Sequence, residues 1–182
     1  MSRRQIEPVH DEEIRVLFTA EGIARRRREI AAEISRDYVD CDLVMVCILK
    51  GSMPFFVDLC REMSLPVRYE YVGVSSYFEG TESSGRVELT ADLNESIEGK
   101  HVLLVDDIVD TGRTVRFLCN QLGGRNPASL KLAALLDKPS RRVVEVDIAY
   151  VGFTIPDEFV VGYGLDYKQR YRNLPYIGVL GG

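Results

Sequence analysis

HVLLVDDIVDTGRTVRFLCNQLGG (101–124) contains a buried strand, an acidic turn and a helix in direct succession. The apolar run Val102 to Val105 leads straight into Asp106 and Asp107, and a third carboxylate follows at Asp110. Thr111-Gly112-Arg113-Thr114 then opens a helix that Gly123 and Gly124 end. Glycine in such a turn lets the main chain approach a ligand closely. Unpaired amides and the dipole at a helix start favour a phosphate there. Carboxylates beside an anion repel it unless they accept hydrogen bonds from sugar hydroxyls or hold a divalent cation. A phosphorylated sugar meets both conditions. The plainer alternative, an exposed acidic loop with a helix cap, explains the Asp pair but not the whole order of strand, DD, D, TG and T.

The same alternation recurs on both sides of this segment. TAEGIARRRREIAAEISRDY (19–38) places Ile23, Arg27, Ile30 and Ile34 on one face with Thr19 as N-cap, which predicts an amphipathic helix. Its quartet Arg25 to Arg28 reads as a solvated face that Glu21, Glu29 and Glu33 can neutralise. DLVMVCILKG (42–51) reads as a strand, and SMPFFVDLCREM (52–63) as a helix carrying Phe56, Leu59, Cys60 and Met63 at helical spacing. Residues 67–74 alternate like a half-buried strand. SSYFEGTESSG (75–85) reads as a polar loop before a further strand in RVELTADL. LKLAALLDKP (130–139) is another buried strand, with Lys138 at its end. Strands alternating with helices predict a parallel α/β sheet whose ligands bind beyond the carboxyl ends of the strands.

Composition limits the alternatives. The chain has 182 residues, 46% hydrophobic and 28% charged, enough apolar material for the core of one domain. A net charge of −5 and a pI near 5.2 argue against a protein built to neutralise nucleic-acid phosphates. The longest apolar runs are too short to span a membrane, and MSRRQIEPVHDEE lacks the apolar core of a signal peptide, so a cytoplasmic protein is expected. Cys41, Cys47, Cys60 and Cys119, with only His10 and His101, show no zinc-ligand spacing and read as reduced thiols.

The acidic turn resembles the 5-phosphoribosyl-1-pyrophosphate (PRPP) signature of the type I phosphoribosyltransferases. LKGS (49–52), SSY (75–77), Lys138 in LLDKP and IPDEFVVGYGLDYKQRYRNLPYIG (155–178) resemble the hypoxanthine-guanine branch of that family. The resemblance implies a Rossmann-like parallel sheet core flanked by helices. It also implies a small hood subdomain from the chain ends, chiefly about 155–182, within a single domain over 1–182. The implied activity is purine salvage: magnesium-dependent transfer of phosphoribose from PRPP to hypoxanthine or guanine, giving IMP or GMP and pyrophosphate. The resemblance further implies a homodimer or homotetramer, with neither nucleic acid nor membrane as partner.

Matching positions carry the implied roles. Asp106 and Asp107 resemble the pair that meets the ribose hydroxyls and their Mg2+, and Asp110 the acid/base that exchanges a proton with purine N7. Thr111, Gly112, Arg113 and Thr114 belong to the 5'-phosphate turn. Lys50 and Gly51 match the pyrophosphate loop, where relatives carry a cis non-proline peptide before the glycine. Ser76 and Tyr77 match a loop that closes over the reaction. Lys138 resembles the reader of the purine 6-oxo group, Phe159 the residue stacked on the base, and Val160 a backbone contact to its edge. Asp166 resembles a ligand of a second magnesium and Arg172 a pyrophosphate contact. From local sequence alone Phe159, in FVV, reads as a core strand residue, and Lys138 as an ordinary strand-end lysine.

Overall fold

A computed structural model describes residues 13–76 and 87–181. Six strands form the main sheet: β2 (Leu43–Leu49), β3 (Arg68–Ser76), β4 (Val87–Ala91), β5 (His101–Val109), β6 (Ser129–Asp137) and β7 (Tyr150–Thr154). Their order is β4-β3-β2-β5-β6-β7, parallel except at the edge, where β4 runs antiparallel to β3. The expected parallel sheet is therefore present with one antiparallel edge strand, reached by the chain that follows β3.

Side-chain alternation sorts the core into two layers. From β2 and β5, Leu43, Met45, Cys47, Leu103 and Val105 face helices α1 (Ala20–Asp37) and α2 (Met53–Glu62). Val44, Val46, Ile48, Val102 and Leu104 face the opposite way, onto Val115, Leu118 and Leu122 of α3 (Arg113–Gly123). A strand covered on both faces has no solvent side, so LVMVCIL shows a continuous apolar run. Thr19 caps α1 as expected, its hydroxyl accepting from the Gly22 amide at 3.1 Å.

Arg25 and Arg28 are exposed as expected, but Arg26 and Arg27 depart from a solvated face. Arg26 pairs with Glu29 and Glu33 as anticipated, but it also donates to the Val151 and Gly152 carbonyls of β7. Arg27 is mostly buried and joins α1 to α2 through Asp58 at 2.7 Å and Glu62 at 2.8 Å, while also donating to the Tyr163 hydroxyl. Those partners lie more than thirty residues away in sequence, beyond the reach of a local helix reading.

β1 (Ile14–Phe18), β8 (Val160–Val161) and β9 (Ile177–Leu180) form a separate antiparallel sheet in the order β1-β9-β8. The expected hood from both chain ends is this small sheet. Phe18 stacks on Phe153 of β7, with ring centroids 4.0 Å apart. In the main sheet the chain leaves β2 toward β3 on one side, and β5 lies on the other. Such a reversal opens a crevice beyond the carboxyl ends of those two strands.

Candidate functional site

That crevice holds the acidic turn. Gly51, Asp106, Asp107, Asp110, Thr111, Gly112 and Thr114 line one cavity of about 210 Å³, with Ile48, Leu49, Val74 and Val115 as its apolar wall. The carboxylates sit at the end of β5, and the cavity lies between them and the first turn of α3. Asp106 is buried, and its carboxylate accepts the Asp107 amide at 3.0 Å; the Asp107 carboxylate accepts the Ile108 amide at the same distance. Burial, then the neighbouring Asp107 charge, pushes the Asp106 carboxyl well above the usual carboxylate range. Burial also raises Asp107, opposed by hydrogen bonds from its surroundings and by the charge of Arg172. Two crowded carboxylates at the rim of a cavity form a hard, anionic oxygen donor set.

The glycines set the shape of the crevice. A Cβ at Gly51 would overlap the Asp107 carboxylate, and one at Gly164 would overlap the Gly51 carbonyl, so the Gly51 main chain packs on a side chain on one side and on main chain on the other. The cis non-proline peptide lies between Leu49 and Lys50, one bond before the Lys50–Gly51 peptide. Ser52 is fully buried, its hydroxyl donating to the Ile48 carbonyl. Gly112 has φ +82°, which admits glycine at least cost, and it starts α3. The segment after β6 braces this turn: the Val143 and Val144 amides both donate to the Thr111 carbonyl at 3.0 Å, and Arg142 donates to the Asp110 carbonyl at 3.0 Å while pairing with Asp137.

Lys138 stands beside this turn rather than on the surface. Its amide donates to the Val109 carbonyl, and its buried ammonium donates to the Glu158 carbonyl at 2.8 Å with Asp157 at 3.5 Å. That rules out the ordinary strand-end lysine. Phe159 is 53% exposed and meets Tyr167 edge-on at 5.7 Å, so it is not a core strand residue; Val160, next to it, is buried and pairs with Val179. The apolar run FVV conceals this split because strand β8 begins one residue later.

Asp166 and Arg172 form an ion pair of 2.6 Å within the tight loop 162–172. Asp166 also accepts the Gln169 amide, and Arg172 also donates to the Gly164 carbonyl at 2.7 Å. Among the described residues, no three His, Cys, Asp or Glu side chains gather to hold a metal, so Asp166 is not brought together with Asp106 and Asp107. Lys50 is exposed and Arg113 half-buried. Ser75 and Ser76, expected in a loop, complete β3; Tyr77 lies outside the described residues.

Asp137, Arg141, Arg142 and Asp157 also surround the site and were absent from the sequence reading. Arg141 pairs with Asp110 at 3.3 Å and with Asp157 at 3.7 Å. The adjacent arginines following Lys138 in DKPSRR were the available signal.

Relatives share this chain along most of its length. It is 47% identical over 166 residues to a hypoxanthine-guanine phosphoribosyltransferase of Streptococcus pneumoniae, covering 91% of this chain and 92% of that one. A crystal structure of a hypoxanthine phosphoribosyltransferase from Staphylococcus aureus superposes with a TM-score of 0.87 at 48% identity, covering 91% of this chain and 90% of that one. A hypoxanthine phosphoribosyl transferase of Trypanosoma cruzi gives a TM-score of 0.88 at 44% identity, covering 96% and 94%. The phosphoribosyl transferase domain family matches residues 16–168, a span that runs from β1 through the acidic turn to the loop of Asp166, and this chain belongs to that family.

Proposed function

We propose that the chain is a purine-salvage enzyme, active as a single domain over 1–182. It transfers the 5-phosphoribosyl group of PRPP to N9 of hypoxanthine or guanine, releasing pyrophosphate and giving IMP or GMP. The observation that carries this reading is the single cavity in which Asp106, Asp107 and Asp110 face the glycine-started α3 at the reversal of strand order.

Each group then has a task. The start of α3, with the Thr111 and Thr114 hydroxyls, holds the 5'-phosphate, while Asp106 and Asp107 address the ribose hydroxyls. As the C1'–oxygen bond breaks, positive charge develops on the sugar and negative charge on the departing pyrophosphate. The carboxylates favour the first and Lys50 and Arg172 the second, with the Gly51 main chain lining the leaving-group end. Asp110 takes the proton that the purine sheds as N9 bonds to C1'. Lys138 donates to the 6-oxo oxygen, Phe159 stacks on the ring and Val160 meets its edge through the backbone.

The donors suit magnesium, a hard ion that keeps several waters and uses one or two carboxylates plus substrate oxygens. Asp106 and Asp107 are such carboxylates, and their crowding is relieved by a cation. Asp166, which stands apart from that pair in the Arg172 loop, would serve a second Mg2+. When bound, Mg2+ stabilises charge on the departing pyrophosphate. No described helix is long and apolar enough to cross a membrane. Exposed Met53, Val57, Tyr69 and Tyr71 on α2 and β3 give a homodimer or homotetramer an apolar surface.

The experiment is pyrophosphate release with PRPP, Mg2+ and each of hypoxanthine, guanine, xanthine and adenine. Turnover of the first two with adenine inert is the expected result; turnover of xanthine alone, or of none, overturns the reading. Asp106→Asn supplies a further check. It keeps the acceptor for the Asp107 amide but removes one of two crowded charges. Thermal stability is expected to rise by about 1 kcal/mol while PRPP affinity falls, measured by calorimetry.

A further inference from the structure

Arg141 closes the short turn Pro139–Arg141 that follows Lys138, and its guanidinium stands between two carboxylates from different parts of the fold. Nε lies 3.3 Å from Asp110 Oδ1, and Nη1 lies 3.7 Å from Asp157 Oδ2. The other oxygen of Asp157 lies 3.5 Å from Lys138 Nζ, which donates to the Glu158 carbonyl at 2.8 Å. Charge therefore alternates along Asp110, Arg141, Asp157 and Lys138.

We propose that Arg141 is a positioning residue for the purine, one guanidinium setting the spacing between the carboxylate that serves N7 and the lysine that reads the 6-oxo group. This rests on the functional reading above, in which Asp110 and Lys138 address one edge of the same ring. The main chains of the two residues are already fixed, because the Lys138 amide donates to the Val109 carbonyl. Their side chains are not: an aspartate turns about two bonds and a lysine about four, so a ring-sized separation needs a third group to hold it. A guanidinium suits this because its nitrogens lie in one rigid plane and hold two carboxylates at a fixed angle, whereas the rotating donors of an ammonium impose no such spacing.

Two observations separate this task from plain stabilisation. The Arg141 side chain is 50% exposed and supports no core packing, unlike the nearly buried Arg142, which braces the Asp110 carbonyl. Arg141 also touches the Asp110 carboxylate, whereas the phosphate turn depends on the backbone at 110–114. Its loss therefore acts on the base and spares PRPP.

The test is steady-state kinetics with hypoxanthine and PRPP on the wild type, Arg141→Ala, Arg141→Lys, Asp157→Asn and the double variant Arg141→Ala/Asp157→Asn. Because partly exposed ion pairs are weak, Arg141→Ala is expected to raise KM for hypoxanthine roughly three- to tenfold, with KM for PRPP within about twofold and the melting temperature within about 2 °C. Arg141→Lys recovers only part of the loss, and Arg141→Ala costs less in the Asp157→Asn background than in the wild type. Equal rises in both KM values, full rescue by lysine or additive effects in the double variant overturn the inference and leave the enzyme assignment standing. A wild type inert toward every base overturns the assignment, and this inference with it.

Discussion

Asp110→Asn is expected to lower turnover by roughly 10²- to 10⁴-fold while KM for PRPP stays near its wild-type value. The asparagine fills the same space and still offers Arg141 an acceptor, so the turn keeps its shape. It cannot take the proton from the purine. The phosphate turn is held through main chain, by Arg142 on the Asp110 carbonyl and by the Val143 and Val144 amides on the Thr111 carbonyl, and none of these bonds involves the replaced atoms. Single-turnover kinetics with saturating PRPP checks the prediction; near-normal turnover in the variant removes Asp110 from the acid/base role.

Lys138→Ala is expected to reduce kcat/KM for hypoxanthine by roughly 10²-fold or more and to erase most of the preference over adenine. In the role proposed for it, the ammonium would donate to an oxo oxygen but meet a 6-amino group donor to donor, rejecting adenine as much as attracting hypoxanthine. Burial sharpens this, because a side chain only 9% exposed gives solvent little access to pair the groups left over. Its loss also frees the Glu158 carbonyl and the Asp157 carboxylate, which lie on the same loop as Phe159. Competition between the two bases measures the change. Intact discrimination in the variant refutes the assignment, and an unchanged affinity for pyrophosphate shows that the leaving-group end is separate.

Much of this was legible in the sequence because it is local. A strand covered on both faces shows an unbroken apolar run, as β2 does; an N-cap lies next to its helix, as Thr19 does; and the acidic turn is contiguous from Asp106 to Thr114. What escaped depends on residues distant in the chain. Arg27 reads as a surface arginine until α2 brings Asp58 and Glu62 to it. β4 mixes polar and apolar residues as its neighbour β3 does, and only its pairing with β3 shows its direction. Phe159 and Val160 are both apolar and adjacent, and β9 reaches both, Leu180 donating to the Phe159 carbonyl and Val179 pairing with Val160; yet one side chain is exposed and the other buried, because successive side chains of an extended segment face opposite ways. Arg141 gains meaning only once Asp110 and Asp157 flank it.

The contact between Gly51 and Gly164 divides the site into a part that mutation can retune and a part that it cannot. At the base end the surroundings are side chains, Lys138 and Phe159 among them, and single substitutions can recast which ring is accepted. Where Gly51 meets Gly164, peptide abuts peptide, so the gauge at that point is the thickness of the backbone itself and an added side chain can only close it. Descendants of this chain are therefore free to explore new acceptors while inheriting the same donor.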